Sequence, residues 1–430
     1  MWRMGAFVIV SLCVSAIATS LVPLAAFAQV QCQDYILVCG DNSQGQLGQG
    51  NATNPPWFVA PGDPWVWKVG LDGPRVQAVA AGEDHSIVLL DPSPPCNANP
   101  LWGFGDNWAG CLGLSTFQAP WTLPVVSGFF NGYDVQLASA GQDYTLVWAV
   151  DGSGIGRLFS FGRNHFGQLG LGYISPHKVN IPTEIPMFTG LQVVAISAGR
   201  GPHSLVAAAI GSGPVNLYAF GRNQEGELGL GQNATNNWYA TPQLVNGVSG
   251  AIRAVSAGGA HSLVLTTAGV YAFGRNVEGQ LGIGIFTPLE RTPTLVQFLS
   301  SSFCPSGCRG IAAGWNHSLF MCSEVVESCG WNRFGQLGLG DQADRCRPTL
   351  IPGSWFGGFA AEVAAGYWHS LVLDSTGVVY GFGGNDRGQL GYDPAVVLDS
   401  YTPMPVPNPS PRRVIAIAAG HNHNLFLLAP

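Results

Sequence analysis

The sequence predicts an all-β fold, a seven-bladed β-propeller closed by pairing of its N- and C-terminal strands. Three observations predict it: a composition hostile to helices, a turn-rich unit recurring seven times, and chain ends that each lack what the other supplies.

The 430 residues include 59 Gly and 30 Pro, a density that breaks helices every few residues. Apolar residues reach 47% and charged residues only 10%, the opposite of the low hydrophobicity and high charge that disorder requires. Two lysines, Lys68 and Lys178, stand in a chain of formal charge −7. No basic stripe could displace phosphate counterions, so nucleic acid is excluded as a partner.

Residues 1–28 read as an export signal. Arg3 carries the only charge before Asp34, an apolar run follows from Gly5, and Ala26-Phe27-Ala28 is a small-x-small cleavage pattern. Cleavage after Ala28 leaves residues 29–430 as one propeller domain, secreted or periplasmic, without a membrane span. The alternative is retention of this stretch as an anchor. Nine cysteines remain, and export permits disulfides. Cys304 and Cys308 could close a short loop, and Cys322 and Cys329 end two runs that could pair as a hairpin. No Cys-x-x-Cys or His partner lies at zinc spacing, so no metal site is expected.

The first half of the repeat is Gly-x-Asn-x-x-Gly-x-Leu-Gly, beginning at Gly40, Gly105, Gly162, Gly221, Gly274, Gly330 and Gly383. Its glycines suit positive-φ turns. Its Asn suits the left-handed region or a bond to its own backbone two residues on. Its Leu should plug the space between neighbouring units. The second half, Ala-Gly-x-x-His-Ser-Leu, has His at His85, His203, His261, His317, His369 and His423, and Tyr144 in the remaining copy. Proline recurs in the apolar stretch between the halves, as befits an outermost strand with one unpaired side. Units of about 57 residues with several short strands each match propeller blades. Tyr35–Val38 opens the first unit with no strand upstream, and Asn424–Leu428 ends the last with none downstream. Pairing them removes both edges.

These two half-motifs resemble the repeat of the regulator of chromosome condensation (RCC1-like) family, over about residues 35–428. The resemblance implies the propeller fold and a range of roles: nucleotide exchange on the small GTPase Ran with chromatin docking, ultraviolet sensing, and protein–protein binding. A secreted inhibitor of β-lactamases is built on similar, shorter repeats.

Enzyme chemistry finds no support in the residues. A histidine repeated at one slot of six units belongs to the scaffold, because catalytic sites break symmetry. Phosphate loops, nucleophile elbows, His-Glu-x-x-His and calcium loops are all absent from the sequence, and no cofactor is expected.

Binding is better supported. The variable residues of the Ala-Gly-x-x-His loops include Glu83, Asp84, Asp143, Arg200, Trp315, Tyr367, Trp368 and His421, an asymmetric set on a symmetric scaffold. One arc is acidic and the opposite arc aromatic, with aromatics of the kind that dominate interfaces. The predicted function is an exported, non-enzymatic, monomeric module that binds a protein or surface ligand through this face.

The first alternative is exchange on a Ran-like GTPase. Asp84 and Asp143 match the acidic loop positions that the resemblance implies, while the export signal and the two-lysine charge balance oppose it. Ultraviolet sensing would draw on Trp315 and Trp368, too few to carry it. A secreted enzyme inhibitor is the remaining alternative.

Overall fold

The computed structural model describes residues 35–53, 66–68, 76–91, 100–297, 299, 307–322, 324–352, 357–408 and 410–429. The expected signal segment and its cleavage point lie outside them, as do Cys32, Cys96 and Cys304.

Seven four-stranded antiparallel sheets make up the described fold. In blade 1 the order from the axis outward is Val76–Ala81, His85–Leu90, Leu101–Gly105, Trp121–Val126. The innermost strands of blades 2 to 6 are Asp134–Ala140, Gln192–Ala198, Ile252–Ala257, Cys308–Ala313 and Ala360–Ala365. Blade 7 is a composite. Val414–Ala419 and His423–Leu428 supply its inner half, Tyr35–Gly40 and Val66–Lys68 its outer half. Tyr35 sits opposite Leu428 and Gly40 opposite His423, six residues in unbroken register. The expected closure is therefore present. Each innermost strand touches the next around the circle, blade 7 touching blade 1.

The sequence repeat is out of phase with the blade. Each Gly-x-Asn half ends the third strand of one blade, and the following Ala-Gly-x-x-His half joins the two inner strands of the next. A hairpin such as Thr266–Gly269 thus joins one sequence repeat to the next while lying within a blade, between its second and third strands.

The second strand of every blade is buried along almost its whole length, and the apolar clusters lie between blades. Leu47, for example, packs with Val79, Val88 and Phe104 across the blade 7–blade 1 contact, as expected of the motif leucine. The third strand usually presents a Phe to the last motif glycine of the preceding blade, as Phe104 does to Gly48. Cys39 and Cys329 hold this slot in blades 7 and 5, both fully buried as free thiols, acting as small apolar fillers. Prolines do occupy the outermost strands, among them Pro124, Pro242, Pro293 and Pro348.

The motif asparagine does something other than expected. None takes positive φ; Ser115 is the one non-glycine residue that does among those described. Instead each Asn Oδ1 accepts the backbone N–H of the motif Leu five residues on, at 2.7–3.3 Å in all seven copies. Each Nδ2 donates to a carbonyl beyond the turn, so one buried amide clamps both ends of the loop. Positive φ falls to the glycines. At Gly40 φ is +105°, and a Cβ there would lie 2.2 Å from the Asn422 carbonyl oxygen.

The histidines form a closed ring of inter-blade bonds. His85 Nε2 meets Thr145 Oγ1 at 3.1 Å, and Tyr144 Oη meets Ser204 Oγ at 3.0 Å. His203, His261 and His317 continue to Ser262, Ser318 and Ser370 at 2.9–3.0 Å. His369 bonds Asn424 Oδ1, and His423 returns to Ser86. Each of these Ser or Thr hydroxyls gives its own proton to a loop carbonyl, as Ser318 does to Gln280 at 2.7 Å. The hydroxyl must therefore accept from the imidazole, which fixes the tautomer with the proton on Nε2. Burial depresses these histidines, His203, His369 and His423 to about 3 and His85 and His261 to about 4, so all stay neutral.

Two disulfide expectations fail. Cys308 is bonded to Cys322, its direct cross-strand partner. Cys322 instead faces Val325, and Cys329 faces Ser318, on the neighbouring hairpin. Register decides the pairing, and it removes both Cys304–Cys308 and Cys322–Cys329.

Candidate functional site

All Ala-Gly-x-x-His loops lie at one end of the ring, between the two inner strands of each blade. Backbone bonds tie them circumferentially: Gln142 N donates to Gly199 O, Gly201 N to Gly258 O, Gly259 N to Gly314 O, and His421 N to Gly82 O, at 3.0–3.2 Å. The Gly-x-Asn loops share this end. The residue after the first motif Gly donates its N–H to the Ala-Gly-x-x-His loop of its own blade: Asp106 to Asp84 O, Arg163 to Asp143 O and Trp331 to Asn316 O, at 2.7–2.9 Å. A rigid backbone thus presents two concentric sets of variable side chains. Sequence reasoning found the inner set and missed the outer one, which contains Asp41, Asp106, Arg163, Arg222, Arg275, Trp331 and Phe334. Variation at the x positions of the Gly-x-Asn-x-x-Gly half was the available signal.

The acidic and aromatic arcs are not opposite, as expected, but contiguous. Counted around the ring, Trp315 lies on blade 5, Tyr367 and Trp368 on blade 6, His421 on blade 7, and Glu83 and Asp84 on blade 1. Trp315 stacks on Tyr367 with ring centres 4.5 Å apart, and Tyr367 stacks on His421 at 4.0 Å. His421 Nδ1 then meets Glu83 Oε1 at 3.2 Å. Trp368 contacts Tyr367 edge-on and extends to Phe334 and Trp331 on the outer set. All these side chains are half-buried, so they are at once packing and surface.

The acidic arc is electrostatically crowded. Burial, with the Glu83 charge adding to it, pushes Asp84 up to about 7. Burial also lifts Asp143 to about 6 against the opposing pull of Arg163, whose Nη1 lies 2.8 Å from Asp143 Oδ2. At Glu83 burial is outweighed by the His421 hydrogen bond and charge, Gln142 and Arg163, and its carboxyl sits below the usual range. A carboxyl whose folded pKa is raised favours the fold while protonated, so the charged Asp84 weakens the fold as pH rises from about 4 to 7. Asp84→Asn, which keeps the acceptor for Gln46 Nε2, is expected to melt at higher temperature than the wild type at pH 8. The difference should vanish near pH 4; thermal melts across that range check it.

Arg200 behaves differently from its neighbours. It leaves blade 3, crosses the axis and donates from Nη2 to the carbonyls of Ala365 on blade 6 and Ala419 on blade 7. With Glu83, Gln142, Trp315, Tyr367 and His421 the side chain lines a small, solvent-open pocket of about 10 Å³. Five of the eight residues expected from sequence, Glu83, Arg200, Trp315, Tyr367 and His421, line this pocket, and Asp84, Asp143 and Trp368 lie outside it. No group of three or more His, Cys, Asp or Glu side chains among the described residues could hold a metal ion. No described helix is long and apolar enough to cross a membrane.

Comparison with known proteins places this geometry. The model of the regulator of chromosome condensation (RCC1) repeat matches residues 156–206, 216–265, 268–321, 328–373 and 376–427, more than half of the chain. The ultraviolet-B receptor UVR8 of Arabidopsis thaliana is 29% identical over 354 residues, 82% of this chain and 74% of its own. The probable E3 ubiquitin-protein ligase HERC6 of Homo sapiens is 29% identical over 73% of this chain, which spans only 29% of the ligase. Among solved structures, Prp20p from Saccharomyces cerevisiae superposes with a TM-score of 0.72 at 20% identity, covering 93% of this chain and 92% of that one, a likeness of fold. The chain belongs to the family of regulator of chromosome condensation (RCC1) repeat proteins.

Proposed function

We propose that this propeller is an exported, non-enzymatic protein-binding module that docks its partner on the Ala-Gly-x-x-His face. The observation that carries the reading is the contrast on that face. Backbone and glycines repeat seven-fold and histidine fills its slot six times of seven, while Glu83, Asp84, Asp143, Arg200, Trp315, Tyr367, Trp368 and His421 obey no symmetry. A scaffold needs no such variation, whereas recognition of one asymmetric partner does. The described partner binding of Prp20p, a protein studied for its binding to Gsp1p and histones, supports a protein as the partner. Export rests on the N-terminal sequence alone, and a monomeric state is part of the proposal.

Asp84→Lys with Asp143→Lys is expected to weaken partner capture by about tenfold or more, as charge reversal at a docking surface does. Glu324→Lys, exposed at the opposite end of blade 5, should leave it unchanged, with circular dichroism confirming that both variants fold. Equal capture by the double variant would put the partner elsewhere. Mass spectrometry of the native N-terminus tests export. A chain starting at Gln29 outside the cytosol supports it; an intact Met1 chain in the cytosol sinks it and makes nucleotide release from a Ran-like GTPase the next assay.

A further inference from the structure

The pocket at the channel mouth holds an arginine that its lining carboxylate, Glu83, does not pair with. Among the described residues Arg200 has no carboxylate within ion-pair distance; its recorded bonds are the two from Nη2 to Ala365 O and Ala419 O. A guanidinium offers five N–H donors in a planar fork. Nε and Nη1 make no hydrogen bond among the described residues, and the residue lines the pocket. Burial without a counter-charge depresses Arg200 to about 10.

The walls add to this. Trp315, Tyr367 and His421 form one stacked wall, so both faces of the central Tyr367 are used and its edge is left for a ligand. The edge of an aromatic ring is its electropositive part and attracts oxygen acceptors. Gln142 and His421 hold Glu83 by hydrogen bonds, which keeps the one lining carboxylate tethered at the rim.

Resting on the reading that this face docks a protein, we infer that the Arg200 pocket takes a carboxylate of that partner, an Asp or Glu side chain or a C-terminus. The planar fork matches a carboxylate in a bidentate pair. The pocket is open but small, with room for about one water, so it admits only the tip of a side chain and not a nucleotide. The surrounding charge selects a monoanion: Glu83 lines the pocket and Asp84 and Asp143 flank it, a field that opposes a phosphate dianion more strongly than a carboxylate. The anchor would thus be a central negative group with positive or polar groups around it.

The test uses the full chain with N-acetylglycine as carboxylate probe, N-acetylglycinamide as its neutral twin and inorganic phosphate as the rival anion. Ligand-observed NMR titrations are run at constant ionic strength. N-acetylglycine should bind saturably and the amide not at all. Arg200→Gln should weaken the carboxylate by about tenfold or more and Arg200→Lys should recover part of the loss. Glu83→Gln, which lowers the rim charge, should tighten binding roughly threefold. Equal response to acid and amide, full affinity in Arg200→Gln, or tighter binding of phosphate than of N-acetylglycine would each overturn the assignment. Should Arg200→Gln fail to fold, unchanged affinity in both Arg200→Lys and Glu83→Gln overturns it. Partner capture that is lost in the Asp84/Asp143 double variant, without carboxylate binding, would remove this inference and leave the docking face standing.

Discussion

Deletion of residues 424–430 is expected to abolish cooperative folding of the whole ring. The segment removes all but the first residue of His423–Leu428, a strand that pairs on one side with Val414–Ala419 and on the other with Tyr35–Gly40. Leu425, Phe426, Leu427 and Leu428 are 0–3% exposed, and each buried side chain of this kind contributes about 1.5–3 kcal/mol. Their summed loss is of the order of the entire stability of a typical domain, about 5–15 kcal/mol. Asn424 also leaves, taking the acceptor of His369 with it. A melt by circular dichroism with an unchanged midpoint would mean that the clasp is dispensable.

Acid is expected to unfold the protein between about pH 6 and 4, through the histidine ring. Six histidines, His85, His203, His261, His317, His369 and His423, are buried and held well below their ordinary value. The sign follows from linkage. Unfolded histidine binds a proton below about pH 6.5 while the folded ring refuses it, so stability is complete above that pH and falls as pH drops. Asp84, Asp143 and Glu362 act in the opposite sense, because burial raises all three and the folded state holds their protons. The histidines outnumber these carboxyls, which leaves a net uptake of protons on unfolding near pH 5, and each net proton lowers stability by roughly 1.4 kcal/mol per pH unit. Denaturant titrations from pH 7 to pH 5 read this slope directly. A stability independent of pH in that range would mean that the ring accepts protons without opening, and that the neutral tautomer is not what joins the blades.

How far could the residues alone have led? Blade number, closure and the scaffold role of the histidines were legible, because each is written as a repeat and repeats reveal themselves without coordinates. The composite blade was legible for the same reason, since Tyr35–Gly40 and His423–Leu428 each lacked a neighbour. Disulfide pairing was not: Cys308 and Cys322 meet through strand register, and spacing favoured nearer cysteines. Motif asparagine was read by its local habits, whereas Asn276 reaches across its loop to Leu281 N and Ile285 O. At the site the inner loop residues were found and the outer ones were not, because Arg163 and Trp331 sit beside glycines whose regularity drew attention away. The place of Arg200 was invisible in principle. Its partners Ala365 and Ala419 lie 165 and 219 residues away, and only the circle brings them within reach.

Composite blade 7 also governs when the fold can form. Every other blade is continuous in sequence and can assemble from local hairpins as the chain emerges. Tyr35–Gly40 is made first and is joined by His423–Leu428 last, the longest sequence separation of any strand pairing described. Contacts of that range close slowly, and a strand left open in the meantime is a template for the wrong neighbour. Nascent chains therefore carry a vacant edge through nearly all of their synthesis, and the final step of folding is a single ring closure that waits on the last strand.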